Sequence, residues 1–185
     1  WVARCDLGLE TETAEVTQFA GATSAGLSGV VLDIGSTTVD IIPIRKGCVA
    51  TAAETDRQRL ELGQLVYTGV ERTAIASILP EVQLAGVRCP LVAEKFATSD
   101  DVYLVLGMTP EDALDCDTAD GRPRARSHAL ARLARMIAED LERVSVSEVE
   151  EMARQIFVAQ AQKIGAALCR NLRLQDLPSA DPPIV

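Results

Sequence analysis

Val30-Val31-Leu32-Asp33-Ile34-Gly35-Ser36-Thr37-Thr38-Val39-Asp40-Ile41-Ile42-Pro43-Ile44 is an apolar run broken once, by a glycine and three hydroxyl residues with an aspartate on either side. β-Branched residues fill both arms and Gly35 permits a sharp or left-handed backbone, so the stretch predicts strand, tight turn, strand. The amides of Gly35, Ser36, Thr37 and Thr38 can then converge on one anion, and the hydroxyls add donors suited to a phosphate or pyrophosphate oxygen. Asp33 and Asp40 would repel that anion unless a hard divalent cation, Mg²⁺ first among them, lay between them. An ordinary hairpin with its ends capped by the two aspartates fits the same letters, because short glycine motifs also arise by chance.

The chain has 185 residues, 48% of them hydrophobic, enough for a globular domain with its own core. Its net charge of -9 opposes non-specific binding to nucleic acid or an anionic membrane, leaving small molecules or proteins as partners. Self-association is left open. Cys5, Cys48, Cys89, Cys116 and Cys169 form no C-x-x-C pair, which fits a reducing compartment. There is no apolar run of about 18 residues, and Trp1 to Asp6 lack the order of a signal peptide, so a cytoplasmic protein is expected. The missing initiator methionine, with the turn only some way into the chain, predicts the carboxyl-terminal part of a longer protein.

Residues 1–29 read as the end of a preceding element and a loop, 30–175 as one lobe, and 176–185 as an extended tail. Lys46-Gly47 predicts a second turn and Cys48-Val49-Ala50 a third antiparallel strand. Leu65 to Thr68 and Leu91 to Ala93 read as short strands, whereas Thr98 to Leu106 fits either a capped helix or, from Val102, a buried strand. Ser127 predicts the cap of a helix with Leu130, Leu133, Ala134, Ile137 and Leu141 on one face. Ser147 and Glu150 predict a capping box for a second helix, with Ala153, Phe157, Ala161, Ile164 and Leu168 on one side. Gly165, at a cost of roughly 1 kcal/mol in a helix interior, predicts tight packing or the close approach of a ligand. Strands followed by helices give the α/β class.

Beyond the hairpin, Arg59 and Arg72 can grip a diphosphate or carboxylate and Tyr67 can stack on a ring; surface ion pairs explain the same arginines. Glu94 and Asp101 are candidate general bases, while helix capping by Thr98 or Ser99 accounts for Asp100 and Asp101 without chemistry. Asp117 and Asp120 can complete a cation site or form an Asp-Gly turn. Arg122, Arg124, Arg126, Arg132 and Arg135 read as a solvated basic face offset by Glu139 and Asp140. His128 is the only histidine, so no histidine triad or zinc cluster can be assembled.

Asp33 to Asp40 resembles the phosphate-binding hairpin of the actin, sugar kinase and heat-shock chaperone superfamily, in its hydantoinase and oxoprolinase version. With Thr55 to Leu60, Leu65 to Thr73, Ala93 to Thr98, Asp101 to Gly107 and Asp117 to Arg122, most of residues 30–170 resembles hydantoinase A-related proteins of tetrahydromethanopterin-linked one-carbon metabolism. The resemblance implies a ribonuclease H-like lobe with an antiparallel hairpin start, then a mixed sheet with flanking helices. It also implies a transferase of methanofuran-type cofactor biosynthesis, joining an aminomethylfuran-methyl diphosphate to the phenol of γ-glutamyltyramine and releasing pyrophosphate. On that reading Asp33 and Asp40 hold Mg²⁺, and Gly35, Ser36, Thr37 and Thr38 bind phosphate. Arg59, Tyr67 and Arg72 contact substrate, and Glu94 or Asp101 deprotonates the phenol. Superfamily members carry two such hairpins in two lobes and this chain one, so it is expected to lack full activity alone. An ATP-dependent hydrolase or kinase, or a non-catalytic phosphate-ligand-binding module, are the alternatives.

Overall fold

The structure, a computed structural model, describes residues 28–46 and 48–174. The loop expected up to Gly29, the glycine of the Lys46-Gly47 turn, Cys5 and the tail from 176 lie wholly or mostly outside the described residues. Packing divides the chain into two compact units where one lobe is expected: the first runs to Val66 and resumes at Ile164, and the second is Tyr67–Lys163.

In the first unit β1 (Gly29–Ile34) and β2 (Val39–Arg45) form the expected antiparallel hairpin, with Val31 opposite Ile42 and Asp33 opposite Asp40. Away from the tip the arms are apolar on both faces because both faces are covered. Val30, Val39 and Ile41 pack with Val66 and Leu172 on one side, and Val31 and Ile44 pack with Ile42 and Val49 on the other. β3 (Cys48–Val49) and β4 (Leu65–Val66) both pair antiparallel with β2, at opposite ends. Every strand pair among the described residues is antiparallel, which corrects the expected mixed sheet.

Helix α1 (Asp56–Leu62) starts where the Thr55 side chain accepts the Gln58 N–H and ends at Gly63, whose φ of 71° is the left-handed cap that glycine adopts without a Cβ clash. The Asn171 side chain donates to the Gly63 carbonyl at 2.6 Å, fixing that end.

The second unit contains the hairpin β5 (Glu81–Leu84) and β6 (Val87–Pro90), turned at Ala85 and Gly86 with φ of 49° and 80°. The strand expected at Leu91 to Ala93 is irregular, since the pairing ends at Pro90. Helix α2 (Ser99–Val105) settles the helix-or-strand ambiguity: the Asp101 carboxylate accepts the Thr98 N–H at 2.9 Å, tying down the first turn. α3 (Arg126–Arg135) begins after Ala125 rather than at Ser127, and the Arg126 N–H finds the Glu111 carboxylate at 2.8 Å. α4 (Val146–Leu174) starts two residues before the expected box: Ser145 and Glu148, not Ser147 and Glu150, exchange the capping bonds.

The core of this unit joins Ile75, Val82, Val102 and Leu104 with Leu133, Met136, Met152 and Ile156, each burial contributing roughly 1.5–3 kcal/mol. Tyr103 and Phe157 meet edge to face with ring centroids 5.9 Å apart. On α4 the buried positions of this unit are Val149, Met152, Ala153, Ile156 and Gln160; of the expected stripe Ala153 is buried, Phe157 packs against this core and Ile164 and Leu168 against that of the first unit, while Ala161 is exposed. Gln160 is anchored by Thr68 Oγ1 and the Gly69 carbonyl, each at 2.8 Å, and by the Tyr103 hydroxyl at 3.1 Å. A Cβ at Gly165 would meet nothing within 4 Å, so the tight packing expected there is absent.

Candidate functional site

The hairpin tip is held by one bond, from the Gly35 N–H to the Thr38 carbonyl at 2.9 Å. The first of the four amides expected to face an anion is therefore engaged within the turn. Gly35 is not in the left-handed region; its role is space, because a Cβ would lie 3.3 Å from that same carbonyl oxygen. The Ser36 and Thr37 hydroxyls stand 3.4 Å apart, and Thr37 and Asp33 are exposed.

Asp33 and Asp40 are cross-strand partners, which puts both side chains on one face of the hairpin. They are not equivalent. Asp40 is ion-paired with Arg59, which also reaches Asp56 at 3.4 Å. Burial raises the Asp40 pKa although Arg59 pulls it down. Arg59 is thus the counter-ion of Asp40, in place of the free substrate-gripping group expected.

Among the described residues no group of three His, Cys, Asp or Glu side chains is placed to hold a metal ion. Asp33 and Asp40 offer two carboxylates, one of them already matched to a guanidinium. Mg²⁺ commonly takes one or two carboxylates with water and phosphate oxygens, so this donor set fits that ion through Asp33 and a phosphate ligand together.

A second polar feature lies wholly within the Tyr67–Lys163 unit: a cleft of about 640 Å³. Arg72, Asp101 and Asp117, expected separately as substrate, base and cation residues, are brought together in its wall. Asp100 holds Arg124 through two bonds of 2.7 and 2.6 Å, and Arg124 also donates to Thr109 Oγ1 and the Pro110 carbonyl at 2.8 Å. Asp101 is 2% exposed and accepts Arg132 Nε at 2.7 Å besides the Thr98 amide. Burial raises its pKa against the pull of Arg132, but its oxygens hold a helix end and a buried cation, which corrects the general-base assignment.

Arg132 itself is wholly buried, and its Nη1 donates to Asp120 at 3.0 Å. Its Nη2 lies 2.6 Å from Asp101 Oδ1 without hydrogen-bond alignment, so it contributes charge to the pair and no further bond. Burial alone would raise Asp120, but bonds from Arg122 and Arg132 hold it at about 2. The basic face expected to be solvated is instead largely paired: Arg122 with Asp120, Arg124 with Asp100, Arg126 with Glu150 and Arg132 with two aspartates. Asp120 is accordingly not a free cation ligand.

Glu94 is exposed and does not line this cleft, and Tyr67 is 63% exposed. Sequence reasoning missed Arg132, although the signal was there. Ala129, Arg132, Leu133 and Met136 recur at helical spacing and are all wholly buried. Lys95, beside Glu94, lines the cleft and gave no signal of its own.

The aspartate-flanked hairpin with its hydroxyl tip belongs to a recognisable class of chain. Over residues 13–178 the sequence matches the Hydantoinase/oxoprolinase family, and the protein is a member of it. Among curated relatives, it is 36% identical over 130 residues to the (4-{4-[2-(gamma-L-glutamylamino)ethyl]phenoxymethyl}furan-2-yl)methanamine synthase of Methanocaldococcus jannaschii, covering 70% of this chain and 39% of the relative. It is 33% identical over 128 residues to the synthase of the same name from Methanococcus vannielii, covering 69% of this chain and 57% of that protein. The chain thus spans well under two thirds of the length of either. Among the described residues no helix is long and apolar enough to cross a membrane.

Proposed function

We propose that the chain is the hairpin-bearing part of an enzyme of methanofuran-type cofactor biosynthesis. The reaction joins an aminomethylfuran-methyl diphosphate to the phenol of γ-glutamyltyramine. The observation that carries this reading is the Ser36-Thr37 tip beside the exposed Asp33, which has no partner among the described residues, in a chain 36% identical to a synthase whose named product contains a phenoxymethyl-furan ether. We read the first unit as an actin-like phosphate-binding lobe, whose second lobe lies in the part of the relatives that this chain does not span.

In the proposed step the phenol loses its proton and its oxygen forms a bond to the furfuryl carbon. The bond from that carbon to the diphosphate oxygen breaks, and its electron pair leaves on pyrophosphate. Ser36, Thr37 and Thr38 bind the phosphate oxygens by amide and hydroxyl donors, stabilising the charge that grows on the leaving group. Asp33 would hold Mg²⁺ together with the phosphate ligand, and that ion would supply further charge neutralisation. Arg59 keeps Asp40 neutralised so that the second flanking carboxylate does not repel the ligand. Glu94, which has no hydrogen-bond partner among the described residues, is the candidate base, since Asp101 is engaged.

The test is to incubate the intact protein with Mg²⁺ and the two substrates and measure ether by mass spectrometry and pyrophosphate by coupled assay. Equal amounts of both, abolished by removing either substrate, are expected. ATP turnover with no ether formed would place the protein with the ATP-dependent members of its family instead.

A further inference from the structure

The cleft of the second unit is lined by five carboxylates and three cations, but these are not equally available. Asp100 and Arg124 neutralise each other, and Asp101 belongs to Arg132. Asp115 accepts the Asp117 amide with one oxygen at 2.9 Å. The side chains of Arg72, Lys95 and Asp117 make no hydrogen bond or ion pair among the described residues, and the Glu71 side chain has only a charge attraction to Arg124. Uncommitted groups of both signs therefore face one cavity, whose volume falls in the roughly 300–1,000 Å³ of small-molecule sites.

We propose that this cleft recognises the zwitterionic α-amino, α-carboxylate end of an amino-acid-derived ligand, Arg72 and Lys95 receiving its carboxylate and Glu71 and Asp117 its ammonium. The charge balance selects this class. Glu71, Asp115 and Asp117 against Arg72 and Lys95 leave the cleft with one net negative charge. A diphosphate would be repelled there, and a simple cation would leave both basic groups unmatched. A guanidinium and a carboxylate pair by parallel bonds, which gives orientation as well as attraction. The walls are fixed by the Asp100–Arg124 and Asp101–Arg132 pairs, so the free groups are presented from a rigid frame. Identifying the ligand as the γ-glutamyl end of the phenolic amine rests on the synthase reading; the preference for a zwitterion does not.

Calorimetric titration of the intact protein tests this with four probes: γ-glutamyltyramine, its N-acetyl derivative, tyramine and inorganic pyrophosphate. γ-Glutamyltyramine is expected to bind at least about tenfold more tightly than tyramine or the N-acetyl compound, the worth of one hydrogen bond to a charged group. Arg72→Ala and Asp117→Asn should each weaken it about tenfold. Both residues are exposed, so neither change threatens the fold. Equal affinity for γ-glutamyltyramine and tyramine, insensitivity to both substitutions, no binding of γ-glutamyltyramine, or its displacement by pyrophosphate would overturn the proposal. The expected pattern without ether formation keeps the zwitterion site and removes the synthase. Ether formed equally well from free tyramine keeps the synthase and removes the site.

Discussion

The hairpin of the first unit and the cleft of the second both gather aspartates and arginines, yet they dispose of them in opposite ways. At the hairpin one carboxylate is neutralised by Arg59 while its cross-strand neighbour Asp33 stays exposed, with no partner among the described residues. In and behind the cleft wall, buried Arg132 and half-buried Arg124 take up Asp100, Asp101 and Asp120, and the groups left without partners among the described residues are the exposed ones around them. The difference separates two uses of charge. A pair sealed from water sets the shape of a wall, because breaking it strands an ion. A lone exposed charge costs the fold nothing and is available to a ligand.

Substitution can break that distinction at either end. The largest effect is expected at Arg132: Arg132→Ala leaves Asp101 and Asp120 without their shared cation, and urea unfolding should show a loss of about 3–5 kcal/mol. A loss below about 1 kcal/mol would mean that water or rearrangement replaces the guanidinium. Asp33→Asn should do the converse, lowering turnover in the proposed condensation about 100-fold while leaving the unfolding midpoint in place.

Acid titration reads the same contrast more finely. Asp120 is held at about 2 in the fold against an ordinary 3.8, so its contribution is complete above the unfolded value and disappears as pH falls through the folded one. Asp120→Asn should therefore cost roughly 2 kcal/mol at neutral pH, with the gap to the natural protein closing between about pH 4 and pH 2. Asp40 and Asp101, both raised chiefly by burial, act in the opposite sense and only above the ordinary value, so they do not mask that limb. The smallest effect is a gain: Gly165→Ala has open space for its methyl group and should stabilise α4 by up to about 1 kcal/mol, measurable as a shifted denaturation midpoint.

What could be read from sequence was local. β-Branching on both arms and a glycine between them suffice for the first hairpin, whereas α1 was not foreseen although Thr55 and Gly63 mark its ends by chemistry confined to a few residues. The second hairpin was missed because its turn uses Ala85-Gly86, without the asparagine or aspartate that usually marks two left-handed residues in succession. The cleft was legible only in fragments. Arg132 finds its partners 31 and 12 residues away, and nothing local distinguishes an arginine so matched from one in water. The expected stripe on α4 holds at Ala153 and Phe157 but passes over Gln160, which hydrophobicity alone would assign to solvent.

That glutamine has a mechanical consequence. Greasy side chains tolerate small rotations of a helix, because one methyl group can replace another against a smooth wall. Gln160 acts as a dowel: turning α4 by a single residue, about 100°, would pull its amide out of reach of Thr68, Gly69 and Tyr103 together. The angular setting of this rod is thereby keyed to the short segment that follows β4, and swapping the dowel for leucine would keep the volume while losing the key.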